Sequence, residues 1–207
     1  MQRLASIRTT LGITGATMGM LLATSALAQA PKIGDAPEAK NMRLVGWNDL
    51  QARSAYQPII HKQGNRYIAY IGHHGGTEKV PKPVNPMTGQ AEFNGTSIID
   101  VTDPKQPKYL AHIPGLEGLG EQGGGQMVRA CDGKSLPKGD PNKTYLLRTF
   151  GGQGHEVWDV TDPAAPKMIT GVSFGLKDTH KSWWECDTGI AYLVSGVQDH
   201  APHDRGL

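Results

Sequence analysis

The chain has 207 residues, a formal net charge of +2 from 21 Lys+Arg against 19 Asp+Glu, and glycine (27) and proline (14) at about a fifth of its length. The near-balanced charge, without a basic run, excludes the electrostatic footprint of a nucleic-acid binder. Recurring short apolar blocks exclude a disordered chain, and the density of turn formers excludes a fold dominated by long helices, leaving an all-β globular protein.

The first 30 residues place Arg3 and Arg8 ahead of an uncharged stretch that closes on small residues, the order of a secretory signal. Ala26 and Ala28 suit the small-residue positions of a signal peptidase, so cleavage is expected after Ala28 and residues 1–28 are read as a signal peptide. Gly12, Gly15 and Gly19 interrupt the stretch and no basic stop-transfer follows, which argues against a retained anchor. Position 29 is Gln rather than Cys, so a lipid anchor is not supported. The expectation is a periplasmic or secreted protein with no stable membrane span after cleavage, and residues 29–54 are read as a lead-in segment.

Beyond the lead-in, Gln57 to His61 and Tyr67 to Ile71 read as two strands. A Gly- and Pro-rich loop from Gly75 to Gly95 follows. Then comes Thr96 to Leu110, TSIIDVTDPKQPKYL, which aligns without a gap to HEVWDVTDPAAPKMI from His155, 59 residues later. In each copy an apolar strand end leads into an Asp-Pro turn, Asp103-Pro104 or Asp162-Pro163. There the carboxylate accepts nearby backbone N–H groups and proline presets φ, and a second strand follows. Gln126 to Cys131 and Tyr145 to Phe150 precede the second hairpin as the first pair precedes the first. Ser182 to Cys186 and Ile190 to Val194 begin a third unit.

Four strands per unit, here called A to D, predict β-propeller blades that bury one another's faces. The expected domains are a partial propeller over residues 55–207, with blade 1 at 55–115, blade 2 at 124–174 and the start of blade 3 at 180–207. Such about two and a half blades cannot close a ring, so the chain is expected to be an N-terminal piece of a longer propeller; closure by oligomerisation and an open stack are the alternatives. The D-V-T-D-P-x-x-P hairpin at Asp100 to Pro107 and Asp159 to Pro166 resembles the LVIVD-repeat family of exported proteins. More distantly it is similar to the propeller of selenium-binding proteins and methanethiol oxidases.

In that topology the B–C and D–A loops share one face, which would carry His73, His74, His155, His180, His200 and His203. Imidazoles that converge there would bind copper or zinc or transfer protons; the alternative is that they are ordinary polar loop residues, since no H-E-x-x-H spacing fixes a geometry. Two functions stay open. One is a binding module for a protein, polymer or small molecule; the other is a metal-dependent oxidoreductase or hydrolase with those ligands. Cys131 and Cys186 hold equivalent positions, each before Asp, and in an oxidising compartment form a disulfide if their strands approach closely enough. His61 occupies the same place in the first unit, which makes a His61, Cys131, Cys186 metal set the alternative. Trp158 and the pair Trp183-Trp184 read as packing residues. Arg129 and Arg148 fall inside strands, where each guanidinium needs either a carboxylate partner or an anionic ligand.

Overall fold

The alternating apolar pattern folds as expected into antiparallel strands, joined by turns at the Asp-Pro sequences. A computed structural model describes residues 39–197; the signal segment, His200 and His203 lie outside them. The strands all lie in the unit that begins at Leu44. They are β1 (Tyr56–Gln63), β2 (Arg66–His74), β3 (Gly95–Asp100), β4 (Lys108–Pro114), β5 (Gly124–Gly125), β6 (Val128–Asp132) and β7 (Thr144–Phe150). There follow β8 (Gly154–Asp159), β9 (Lys167–Ser173), β10 (Leu176–Lys177), β11 (Ser182–Trp184), β12 (Ala191–Leu193) and β13 (Gly196–Val197). Among the described residues there is no α-helix, and hence none long and apolar enough to cross a membrane.

Two four-stranded meanders dominate, β1-β2-β3-β4 with β5 added to the end of β2, and β6-β7-β8-β9; β10 pairs β13 and β11 pairs β12. Every pairing between strands is antiparallel. The expected strand at Gln126 to Cys131 starts two residues late, at Val128, because the carbonyl of Gln126 abuts Gly72. A Cβ on Gly72 would lie 2.1 Å from that oxygen, so only glycine admits the approach.

The two Asp-Pro corners are built alike. Asp103 Oδ1 accepts from Lys105 N at 3.0 Å and its carbonyl from Gln106 N at 3.0 Å, while Asp162 does the same for Ala164 N and Ala165 N, each at 3.0 Å. Val101 N and Val160 N extend the ladders onto the carbonyls of Tyr67 and Thr144, both at 2.9 Å. Tyr67 N and Thr144 N return the bond to the hydroxyls of Thr102 and Thr161 at 2.9 and 3.1 Å. The threonine of D-V-T-D-P thus ties the corner to the neighbouring strand.

The sheets stack face to face. Ile68, Tyr70, Ile98, Ala111 and Ile113 of the first pack on Val128 and Leu146 of the second and on Val160, just past β8; Trp158 seals the edge. The opposite face of the first sheet, with Ala69, Ile71 and Ile99, lies under Leu50. This leucine sits in a short 3-10 turn at Leu50–Ala52, so the end of the lead-in acts as a strap across the sheet. On the far side of the second sheet, Tyr145, Val157, Ile169 and Trp184 line an open recess of about 460 Å³. Edge strands β1, β6 and β11 lie side by side. Cys131 of β6 and Cys186, two residues past β11, form a disulfide with Cα atoms 5.6 Å apart. His61 on β1 does not join them; its Nε2 meets Asp132 Oδ1 at 2.9 Å. Cysteines bonded to each other leave no thiolates for the His61, Cys131, Cys186 metal set.

Candidate functional site

The end of the stack where β2 finishes and β8 begins is organised by glycines. Gly75 N donates to the Gly120 carbonyl at 2.7 Å, Gly151 N to Gly124 O at 2.8 Å and Gly152 N to Gln122 O at 3.1 Å. β5 pairs Gly125 with His73 and Gly124 with His74. Added Cβ atoms on Gly124 and Gly75 would fall 2.3 Å from the backbone of His73 and Gly118 respectively, so these close backbone approaches require glycine. Thr179 closes the arrangement, its hydroxyl donating to Gly151 O at 2.6 Å.

His73, His74, His155 and His180 all fall near this end, but their rings do different work. His73 is fully buried, with Nδ1 against the carbonyl of Ser54 in the strap and Nε2 2.7 Å from Ser97 Oγ. Burial pushes its pKa down to about 4, the Ser54 carbonyl opposing and the Arg53 guanidinium assisting. His155 is also fully buried, with neither ring nitrogen bonded, and burial lowers it to about 4. His74 stacks on Tyr56 with ring centres 4.4 Å apart, and Tyr56 is in turn 6.1 Å from His180. His180 Nε2 lies 3.5 Å from Glu121 Oε1, beyond good hydrogen-bond geometry. Among the described residues no three His, Cys, Asp or Glu side chains converge in a way that could hold a metal ion. The expected copper or zinc set therefore does not assemble from the four described histidines: the adjacent His73 and His74 alternate across β2, His73 meeting Ser97 and His74 meeting Tyr56, and His155 is buried apart.

What does come together is a half-exposed patch of Tyr56, His74 and His180, with Glu121 at its rim. Tyr56 opens β1, and no motif in the sequence marks it; its place beside His74 follows from the β1–β2 register, in which it pairs with Gly72.

A second polar cluster escaped the sequence reading altogether. His112 of β4, with its side chain wholly buried, meets Glu92 at 2.7 Å. Arg53 of the strap reaches Asn94 Oδ1 at 2.7 Å, Pro83 O at 3.0 Å and Glu92 O at 3.1 Å. Burial, the Arg53 guanidinium and His73 all lower His112, which stays neutral and donates from Nδ1 to the Glu92 carboxylate. These bonds pin the strap and the 83–94 loop to the first sheet. Their only sequence signal is the pair of polar residues Ser97 and His112 inside otherwise apolar strands.

No family model matches the chain, and no curated protein matches it.

Proposed function

We propose that the protein is an exported, LVIVD-type β-propeller domain that acts as a binding module through its histidine-bearing loop end, without chemistry of its own. The observation that carries the reading is the glycine-bridged loop end. Its backbone is fixed by bonds between the sheets, and it gathers the partly buried Tyr56, His74 and His180 rings beside the exposed Glu121 carboxylate. A preorganised patch of aromatic and titratable groups loses little conformational entropy when it engages a partner. Its aromatic faces and the Glu121 carboxylate suit a polar polymer, a peptide or a small polar ligand. The propeller part of the proposal rests on the matched Asp-Pro corners and on the way one meander stacks on the next. The metal-dependent alternative lacks comparable support, since the described imidazoles diverge.

The test is an NMR screen of oligosaccharides, peptides and metabolites against the isotopically labelled secreted protein, with metal content measured in parallel. Ligands are expected to perturb Tyr56, His74, Glu121 and His180 together, and His180→Ala with Tyr56→Ala to remove that response. Stoichiometric copper or zinc that is lost in His74→Ala would overturn the binding-module reading in favour of a metal enzyme. Hits that consistently avoid this end would overturn the placement.

A further inference from the structure

The strap concentrates backbone strain. Leu50, Gln51 and Ala52, none of them glycine, follow one another at φ 52°, 54° and 59°, so the turn that seats Leu50 is left-handed. For L-residues that hand brings Cβ too close to the following carbonyl, and a run of three persists only where the surroundings hold it. The holding contacts lie at its two ends. Upstream, Gly46 lies against the Pro104 carbonyl with no room for a Cβ. Downstream, Arg53 is pinned by Asn94 Oδ1, Pro83 O and Glu92 O, and Ser54 by the ring of His73 and by His74 N, which donates to its hydroxyl at 3.2 Å. Between these ends Leu50 is the apolar anchor, while Leu44, Val45 and Trp47 stay exposed, Trp47 at 71%.

What the strap covers shows what it replaces. In the matched registers of the two meanders, Ala69 pairs with Ile99 as Leu146 pairs with Trp158, and Ile71 holds the place of Arg148. Leu146, Trp158 and Arg148 belong to the face by which the second meander packs on the first. Their counterparts Ala69, Ile71 and Ile99, with Val101 and Tyr109 beside them, form the face that Leu50 covers. The strap thus stands where a preceding sheet would stand. A stack of sheets needs its end faces capped, because an apolar face left open associates with another.

We propose that the strap is a strained, releasable cap that keeps the outer face of the first sheet from dimerising with the same face of a second copy of the chain. Displacement relieves three unfavourable backbone conformations and uncovers Ala69, Ile71 and Ile99 together. These side chains and Val101 carry no charge, so two copies meet there without like-charge repulsion, and a two-fold axis closes the pair. Sheet-on-sheet packing of this kind already exists within one chain, where Ile68, Tyr70 and Ile98 meet Val128 and Leu146. The cap and the loop-end patch act independently.

Sedimentation velocity over a range of protein concentrations is the test, with amide exchange as the second readout. Leu50→Ser is expected to show a concentration-dependent dimer that the wild type lacks. Adding Ala69→Lys is expected to return it to monomer, since a charge on the uncovered face opposes packing. Gly46→Val unseats the upstream end without touching the sheet and is the second releasing variant; far-UV circular dichroism reports whether each variant folds. Gln51→Gly with Ala52→Gly relieves the left-handed backbone and is expected to slow exchange of the Arg53 amide, which donates to Leu50 O, by about threefold or more. A wild type that dimerises as readily as Leu50→Ser, releasing variants that are folded yet monomeric, or a dimer that survives Ala69→Lys would overturn the cap. Unfolding of both releasing variants would do the same, by showing the strap to be an integral part of the sheet. Oligomers beyond the dimer would rule out the symmetric pairing, and glycines that speed the exchange would rule out the strain.

Discussion

Arg148 is the largest fully buried side chain among the described residues, and every side-chain bond it makes crosses an element boundary. Its Nε donates to Glu156 Oε2 at 2.8 Å, while Nη1 and Nη2 take the carbonyls of Ile113 and Pro114 at 3.0 and 2.7 Å, at the end of β4 in the other sheet. Trp158 Nε1 shares the same Glu156 oxygen at 2.8 Å. Removing the arginine strands a buried carboxylate and two carbonyls, so Arg148→Met is expected to destabilise the protein by about 3–5 kcal/mol in urea denaturation. Arg148→Met with Glu156→Leu is expected to cost clearly less, because no unpaired charge remains. A double variant as unstable as the single one would mean that the carbonyl contacts, rather than the ion pair, carry the effect. The buried histidines make a second prediction. His73 and His155 titrate near 4 when folded against the ordinary 6.5, and His112 is also lowered. The folded chain then binds fewer protons than the unfolded chain between those values, so stability is complete above about pH 6.5 and falls as the pH drops toward 4. Each such histidine contributes a slope of up to about 1.4 kcal/mol per pH unit in that window. His73→Asn is expected to flatten the slope measured by urea midpoints from pH 7 to 5; an unchanged slope would remove His73 from the account.

At the level of elements, the disulfide holds a two-stranded hairpin to the second meander. β11 and β12 form only a two-stranded hairpin, and isolated hairpins are marginal in water, so attachment of β11 to β6 keeps the pair in place. Closing a loop with a sequence separation of 55 residues stabilises by about 4 kcal/mol in the chain-entropy picture. Reduction is therefore expected to speed amide exchange first in 182–193, with β1–β4 and β6–β9 affected far less. Uniform acceleration across both meanders would show instead that the bridge supports the whole stack. These elements also mark what the sequence makes legible. The Asp-Pro corners and the eight strands of the two meanders could be read because turn chemistry and apolar alternation are local signals carried by a few adjacent residues. The start of β6, the glycine bridge and the strap could not, since each depends on a close approach between segments far apart in sequence, such as Gly72 with Gln126. The histidines illustrate the boundary within one residue type. Topology places His73, His74, His155 and His180 near one end, while what each ring meets, such as Ser97 for His73 and Tyr56 for His74, is set by neighbours far away in sequence. Likewise, the need of Arg129 and Arg148 for partners was readable, but not which of them would find a carboxylate.

Across the whole molecule, coverage of the stacked sheets is uneven, and that unevenness bears on the propeller reading. The register that pairs Ile68 with Asp100 in the first meander pairs Tyr145 with Asp159 in the second, so Ile68, Tyr70 and Ile98 correspond to Tyr145, Leu147 and Val157. The first set is fully buried against the second sheet. The second set faces the side where, among the described residues, the β11–β12 hairpin and the open recess lie and Ile169 of β9 is 48% exposed. Stacking of like upon like predicts that a third four-stranded sheet would cover this side as the second covers the first. Where no such cover is present, truncations on the two faces should differ in cost. Ile98→Ala is expected to lose about 3 kcal/mol, the usual range for an aliphatic side chain deleted from a packed core. Ile169→Ala, with half its surface already in water, is expected to lose less than about 1 kcal/mol. Urea midpoints of the two variants check the contrast. A comparable loss at Ile169 would mean that its face is buried in solution, by further strands of the same kind or by a second copy of the chain. Dilution separates these, since cover by a second copy makes the Ile169→Ala penalty depend on protein concentration whereas cover within one chain does not.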